Sequence, residues 1–207
     1  MFPPYHAISG RRTRRRVMRS LSSLIGCTFV SFATLAAAAP ILWVNDGNGV
    51  LGTVDVGTGE VNVVGSMGVG MTDIAFAPNG DLFGISPTHL YSINRSTAAA
   101  TQIGPTGISL GNALVFGTDG TLYGAGGGSG SLYRINPATG AGTAIGNIGF
   151  GSAGDLAFVG SNLYMSSLSH ELIRIDLNNG AAGTSVGPFG FTFVFGLATP
   201  GDGALYG

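Results

Sequence analysis

A repeat of about 40 residues is the feature that most constrains how this chain of 207 residues can fold. Three markers recur in register along the sequence. The first is a leucine followed by an aromatic residue, spaced by 40, 40, 41 and 42 residues, at Leu42, Leu82, Leu122, Leu163 and Leu205. The other two are an apolar residue before Asp or Asn, at Val54, Ile93, Ile135 and Ile175, and an apolar residue before Gly, at Val64, Ile103, Ile145 and Val186. A period of this length indicates stacked units, each too small to bury its own apolar face.

Each period has the pattern of four short β-strands separated by turns. In the second copy the strand-like runs are residues 73–77, 81–85, 89–93 and 101–103. Asn79-Gly80, between two such runs, predicts a tight hairpin turn of type I′. An Asp or Asn before the last turn of each copy, such as Asn94, can cap that turn with its side chain. No segment has helical periodicity, so the sequence predicts an all-β fold, a β-propeller of four four-stranded repeats of ~40 residues.

The repeated units resemble those of a known group of proteins. The stretches that carry the resemblance are IAFAPNGDLFGI (74–85) with LYSINRSTAAATQIG (90–104), and LVFGTDGTLYGA (114–125) with LYRINPATGAGTAIG (132–146). They are similar to repeats of exported bacterial β-propeller proteins of the NHL, YVTN and quinoprotein-like group, and the resemblance extends over residues 41–207. It implies the architecture and says little about activity, because this fold carries enzymes, ligand binders and scaffolds.

The phase of the repeats leaves two architectures open. The first copy begins at Ile41 directly on its second strand, and residues 194–199 have the sequence of the missing inner strand. If this segment pairs with the first copy, the four blades form a closed ring without free sheet edges. Residues 204–207, however, have the pattern of a further second strand, which predicts a fragment of a larger propeller.

The first 38 residues have the pattern of an export signal. Six of the nine arginines lie in the first 19 residues, and residues 20–39 are uncharged and end in four alanines. A basic start, an apolar stretch and small residues before the cleavage site are typical of a secretory signal peptide. We therefore predict a cleaved signal peptide over residues 1–38 and a propeller domain over residues 39–207. Alternatives are a membrane anchor, lipidation at Cys27, a twin-arginine signal at residues 13–18, and a start at Met18.

The chain beyond the leader is acidic. From Ala39 onward three arginines stand against ten acidic residues, a net charge of −7, and the sequence has no lysine. Binding to nucleic acid needs clustered basic side chains, so we exclude that function. The single cysteine, Cys27, lies in the leader, which excludes a disulfide-stapled scaffold. We expect a periplasmic, cell-surface or extracellular protein with no membrane span after cleavage.

Asp73, Asn112 and Asp155 are the candidate site residues. Asp73 and Asp155 begin equivalent inner strands, and Asn112 lies one residue out of register between them. Inner strands of a propeller approach its central channel, where carboxylate and amide oxygens can contact a ligand or a hard cation. The alternative is that each side chain caps the loop entering its strand. His89 and His170 are expected at the surface.

The inventory of reactive residues favours a noncatalytic function. A lactonase-like enzyme on this fold would use a Glu, Asn and Asp cluster, and only Glu60 and Glu171 follow the leader. We therefore predict no catalytic residue, no catalytic metal and no cofactor, and a recognition scaffold for an unknown protein or glycan partner. The alternative is a hydrolase or lactonase-like propeller whose catalytic residues lie partly beyond residue 207.

Residues 189–195, FGFTFVF, are the most unusual segment. Their alternation predicts a strand with four Phe side chains on one face, packed on the neighbouring blade. The alternative is an exposed surface for a partner.

Overall fold

The computed structural model describes residues 41–199 and 203–207, and the predicted signal peptide lies outside them. The described strands are β1 (Ile41–Asn45), β2 (Val50–Asp55), β3 (Val61–Ser66), β4 (Asp73–Phe76), β5 (Leu82–Ile85), β6 (His89–Ile93), β7 (Ala100–Pro105), β8 (Gly111–Phe116), β9 (Leu122–Gly126), β10 (Ser131–Ile135), β11 (Gly142–Asn147), β12 (Ser152–Val159), β13 (Asn162–Ser167), β14 (Glu171–Asp176) and β15 (Ala182–Pro188). Within the described residues there is no helix.

The strands form four antiparallel sheets, arranged in a ring as the blades of a β-propeller. Blades two, three and four are four-stranded meanders, β4-β5-β6-β7, β8-β9-β10-β11 and β12-β13-β14-β15. Blade one is three-stranded, β1-β2-β3, because it begins on the strand that is second in the other blades. The inner strands pack side by side, β4 against β8 and β8 against β12. The predicted all-β propeller of ~40-residue repeats is confirmed, with three strands rather than four in the first blade.

The hairpin between the first two strands of blade two differs from the predicted type I′ turn. The Ala77 N–H donates to the Asp81 carbonyl (2.9 Å) and the Gly80 N–H to the Ala77 carbonyl (2.8 Å). Of the loop residues only Gly80 has a positive φ, 88°. The turn is therefore of type I followed by a left-handed glycine. The physical reason is Pro78, whose fixed negative φ fits type I and cannot enter type I′.

The predicted Asx caps are confirmed in all four blades. In each blade the side-chain Oδ1 accepts the backbone N–H two residues later, at 2.8–2.9 Å. These bonds join Asp55 to Gly57, Asn94 to Ser96, Asn136 to Ala138, and Asp176 to Asn178. The side chain thus satisfies a turn donor that the sheet leaves without a partner, and it fixes where β2, β6, β10 and β14 end.

Apolar cores lie between successive blades, as the repeat predicts. The three clusters join blades one and two, two and three, and three and four. The repeated aromatic residues reinforce each junction, with ring centroids 5.6, 5.3 and 5.8 Å apart, in the pairs Trp43–Phe76, Phe83–Phe116 and Tyr123–Phe158. The repeat leucines Leu82, Leu122 and Leu163 are at most 2% exposed, whereas Leu42 is 41% exposed. Within the described residues no comparable cluster joins blade four to blade one.

The prediction of a packed strand at residues 189–195 is wrong. The segment after β15 forms no strand, and Phe191, Phe193 and Phe195 are 76%, 67% and 58% exposed. Positive φ angles at Gly190 (76°) and Phe193 (62°) interrupt the extended backbone that alternation requires. Phe191, Phe193 and Phe195 therefore lie at the surface, whereas Phe189 is half-buried.

Candidate functional site

Two aspartates meet four backbone N–H groups at the centre of the ring. Asp73 accepts the N–H of Ile74 in its own blade (2.7 Å) and that of Leu114 in the next blade (2.6 Å). Asp155 accepts the N–H of Leu156 (2.6 Å) and that of Leu197 (2.6 Å). Each of the four carboxyl oxygens thus accepts one N–H. Both carboxyl groups bridge successive inner segments, which gives them a structural role close to the capping alternative.

The carboxyl groups of Asp73 and Asp155 also interact with each other. Burial, the neighbouring Asp155 charge and a hydrogen bond between the two side chains hold the pKa of Asp73 well above its ordinary value. Burial raises the pKa of Asp155 to about 7, although bonds from Leu197, Leu156 and Asp73 oppose the rise. Two adjacent carboxylates in a desolvated place repel each other, so the pair retains a proton near neutral pH.

Asn112, the third predicted site residue, lies apart from the acid pair. Its amide nitrogen donates to the Ser152 carbonyl in the next blade (3.0 Å), and its Oδ1 is buried without a hydrogen-bond partner among the described residues. Thr72 bridges blades in a similar way, donating to the Gly111 carbonyl (2.9 Å). The structure therefore brings Asp73 and Asp155 together and places Asn112 in a neighbouring junction. Ligand contact by the three residues stays a prediction.

A cavity of about 600 Å³ borders the acid pair. One wall is β1, from Leu42 to Asn45, and the other is formed by Phe195 to Ala198 with Tyr206 and Gly207. Thr72, Asp73 and Asp155 also line the cavity. The cavity thus occupies the junction of blade four with blade one, where the other junctions have apolar cores.

Exposed apolar side chains form a rim on the face that carries the β13–β14 turn and the connections between blades. We call Leu110, Leu168, Phe191, Phe193 and Phe195 the rim; each is at least 55% exposed. Leu110 and Phe193 have positive φ angles of 52° and 62°, which bulky side chains rarely adopt. The Phe193 ring stacks on Phe195, with centroids 5.9 Å apart. The fold thus holds two of the five exposed apolar side chains on left-handed backbone.

A smaller cavity of about 260 Å³ lies beside Leu110 and Leu168. Its lining includes Asn112 and Ser152, and two buried polar atoms of these residues, Asn112 Oδ1 and Ser152 Oγ, have no partner among the described residues. A buried polar atom without a hydrogen bond is costly, commonly ~1–3 kcal/mol. The two residues thus line the cavity, while these two polar atoms are themselves buried.

The histidines and the second glutamate are placed by local contacts. His89 Nδ1 is 2.8 Å from the Thr88 hydroxyl, and the His170 ring lies edge-on to Phe193 at 5.6 Å. Glu171 accepts hydrogen bonds from Ser185 (2.9 Å) and Ser169 (3.1 Å). Across residues 41–199 and 203–207, no three His, Cys, Asp or Glu side chains form a group that could hold a metal ion.

The repeat predicts that Asp73 and Asp155 approach the central channel, but not that their carboxyl groups interact with each other. The available signal was the repeat itself: the position is Asp73, Ala113, Asp155 and Gly196 in successive copies. Acidic residues in alternate blades of a four-bladed ring lie opposite each other, and small residues in the other two blades leave room for them. The strain at Leu110 and Phe193 had no signal in the sequence, because a positive φ at a bulky residue is set by the surrounding fold.

The fold and the axis geometry define a β-propeller. Comparison with family models finds no match, and comparison with curated protein sequences finds none either. Solved structures share the fold: the nidogen/laminin complex at TM-score 0.62 and 12% identity, over 79% of this chain and 65% of that chain. An auxiliary nutrient binding protein from Bacteroides thetaiotaomicron is similar at TM-score 0.55 and 15% identity, over 70% of this chain and 38% of that one.

A virginiamycin B lyase from Staphylococcus aureus is similar at TM-score 0.52 and 16% identity, over 78% of this chain and 58% of that one. The chain spans less than two thirds of each of these three proteins. At these identities the likeness shows the propeller fold that the NHL and YVTN resemblance implied. Nowhere in residues 41–199 and 203–207 is there a helical segment with the length and hydrophobicity of a membrane span.

Proposed function

We propose that this chain is an exported, noncatalytic β-propeller scaffold that recognises a protein or a small ligand at the cell surface or in the periplasm. The rim is the observation that carries the proposal. Five large apolar side chains are exposed on one face, and two of them stand on left-handed backbone. Such residues do not stabilise the fold, since their apolar surface stays in water and the strain costs about 1–3 kcal/mol per residue. The Phe193 and Phe195 rings are in contact, and exposed apolar surface that is contiguous in this way is typical of binding sites.

The test compares two variants that remove equal kinds of exposed apolar surface. Leu110→Asn with Phe193→Asn changes the rim, and Asn tolerates positive φ. Val61→Asn with Val63→Asn changes two exposed valines of the outer strand β3, 63% and 65% exposed. We expect the rim variant to keep or raise Tm and to lose both 1-anilinonaphthalene-8-sulfonate fluorescence and capture of partners from the exported fraction. The β3 variant should retain capture.

Two results would contradict this assignment. A fall in Tm of several degrees in the rim variant would mean that the rim packs on something in the folded protein. Equal loss of capture in the β3 variant would mean that general hydrophobicity, and not the rim, binds the partner. Export is tested separately, by sequencing the N-terminus of the protein recovered outside the cytoplasm, which should begin near Ala39.

A lactonase-like or other hydrolytic function is the second candidate. The observation that favours it is the acid pair, because raised carboxyl pKa values beside a cavity are common in catalytic sites. Against it, each carboxyl oxygen already accepts a backbone N–H at 2.6–2.7 Å. We expect Asp155→Asn to leave partner capture intact. Hydrolysis of a lactone panel by the native protein, abolished by Asp155→Asn, would replace the scaffold proposal.

A further inference from the structure

The inner edge of β1 is the starting point, because no described residue pairs with it. β1 pairs with β2 on its other side. The Asp46 N–H donates to the Val50 carbonyl (3.1 Å), and the alternation of an antiparallel ladder then directs the N–H and C=O of Trp43 away from β2. In blade two the equivalent residue, Phe83, faces Ala75 of the inner strand β4. β1 therefore presents backbone groups where an inner strand would lie.

The segment whose sequence fits that inner position pairs elsewhere. The Ala198 N–H donates to the Tyr206 carbonyl, and the Tyr206 N–H donates to the Ala198 carbonyl, both at 2.8 Å. Ala198 corresponds to Ala75 in the repeat, and Tyr206 corresponds to Phe83. The bridge thus reproduces the register of the first hairpin of blade two. Trp43 and Tyr206 are equivalent residues of two repeats, and each is suited to the same partner.

We propose that β1 and residues 205–206 are alternative partners for one strand edge, that of residues 196–199. When β1 takes the edge, Ala198 lies opposite Trp43 and Thr199 opposite Leu42. Blade one then gains its fourth strand, and the walls of the 600 Å³ cavity come together. When Tyr206 takes the edge, β1 is left as an open strand-acceptor site.

The balance between the two pairings rests on side-chain burial. Either partner gives Ala198 the same pair of backbone hydrogen bonds, so the exchange leaves those bonds equal in number. Tyr206 is 59% exposed in the present pairing. Leu42 of β1 is 41% exposed, whereas its equivalent Leu82, which pairs with the inner strand β4, is 2% exposed. The Leu197 N–H points to Asp155, on the opposite side of the segment from Tyr206, and this bond holds the segment in place for either partner.

Disulfide trapping in the full chain tests the exchange, with Cys27→Ser as background. Leu42→Cys with Thr199→Cys reports pairing with β1, by analogy with the Leu82 and Phe76 pair. Leu205→Cys with Thr199→Cys reports the alternative hairpin. We expect both cross-links to form within one chain under mild oxidation, read by intact mass and non-reducing electrophoresis. Tyr206→Pro removes one bond of the bridge and should raise the first cross-link about fivefold, as expected for one ordinary hydrogen bond.

Leu42→Cys with Thr101→Cys is the control, since Thr101 is exposed on the outer strand β7, and it should not cross-link. The proposal is overturned if Leu42→Cys with Thr199→Cys gives only cross-links between chains, or gives none after Tyr206→Pro. Amide hydrogen exchange at Trp43 checks the same point without cysteines. Tyr206→Pro should slow this exchange, and an unchanged rate would also overturn the proposal.

Discussion

At the scale of single residues, the acid pair sets an unusual dependence of stability on pH. The folded-state pKa values of Asp73 and Asp155 lie above the ordinary value of about 4, so the folded protein holds protons that the unfolded chain has released. The contribution of the pair is therefore fully present below about pH 4 and is lost as the pH rises toward and through 7. The lowered pKa values of exposed Asp46 and Asp119 act in the opposite direction and are screened by water.

The first prediction follows from this sign. We expect Tm to be higher at pH 5 than at pH 8, measured by circular dichroism in buffers of equal ionic strength. Asp155→Asn removes one titrating group and should flatten the profile, whereas Asp119→Asn removes an exposed carboxyl group whose pKa is lowered and should leave the shape unchanged between pH 5 and pH 8. A Tm that rises steadily from pH 5 to pH 8 in the native protein would contradict a retained proton.

Removal of one carboxyl group gives the second prediction. Asp73→Ala leaves the N–H groups of Ile74 and Leu114 without their acceptor. It thereby removes the hydrogen bond that joins the inner strands β4 and β8. Each lost bond in such a place costs about 1–3 kcal/mol, so we expect at least about 2 kcal/mol of lost unfolding free energy in urea. Asp119→Ala, which removes a carboxylate from an exposed hairpin, is the matched control and should cost clearly less. Equal losses would mean that the bonds at the axis contribute nothing special.

The sequence predicted which aspartates reach the axis but not what they do there. Equivalent repeat positions place Asp73 and Asp155 on inner strands, and this part of the prediction needs only the period. The bond from Leu197 to Asp155 joins residues 42 apart, and the equivalent bond from Leu114 to Asp73 joins residues 41 apart. Whether a carboxyl group caps a backbone or contacts a ligand depends on such distances, which the repeat pattern does not contain.

At the scale of elements, close backbone approach decides where the segment after β15 lies. Gly154 of β12 packs directly against Phe195, and a Cβ at Gly154 would lie 2.6 Å from the Phe195 carbonyl oxygen. Backbone atoms cannot move aside as a side-chain tip can. Gly154 is therefore the residue that lets residues 195–198 take the inner position and reach Asp155.

The third prediction uses this contact. Gly154→Ala should displace the segment, break the Leu197 bond to Asp155 and lower the free energy of unfolding by about 1–3 kcal/mol. Gly196→Ala is the control on the other side of the same contact, because nothing lies within 4 Å of a Cβ there. Urea unfolding compares the two, and hydrogen exchange of the Leu197 amide localises the effect. Faster exchange in both variants, or in neither, would contradict the role of Gly154.

Local sequence patterns correctly predicted the strands and the capped turns, but they did not predict the conformation of residues 189–195. Alternation over residues 189–195 fits a strand only if another strand edge is available to pair with it. Within the described residues none pairs with this segment, and Gly190 and Phe193 adopt positive φ instead. Period-two patterns predict which residues share a face, but the pairing partner is a property of the whole sheet.

At the scale of the whole molecule, three junctions between blades are alike and the fourth differs. Each of the three has an aromatic residue of a second strand against a Phe of the next inner strand, at 5.3–5.8 Å. At the fourth junction, Tyr164 is the aromatic residue of the second strand. The position of the Phe on the next inner segment is occupied by Thr199, the equivalent of Phe76, Phe116 and Phe158. The repeat therefore predicts from sequence that the fourth junction lacks this phenylalanine. The 600 Å³ cavity at the same junction depends on the pairing of the strands, which the repeat does not specify.

The fourth prediction concerns an aromatic side chain added at position 199. Thr199→Phe should add an aromatic pair with Tyr164 and raise the free energy of unfolding by about 0.5–1.5 kcal/mol, the usual contribution of such a pair beyond its buried area. Thr101→Phe, on the outer strand β7, places the same ring at an exposed position and should change stability by only a few tenths of a kcal/mol. Urea unfolding at fixed pH measures both variants.

In Thr199→Phe with Tyr164→Ala the gain in unfolding free energy should vanish, because the added ring then has no partner. A gain that survives Tyr164→Ala would show that the ring acts by burial elsewhere, and the fourth junction would then not follow the geometry of the other three.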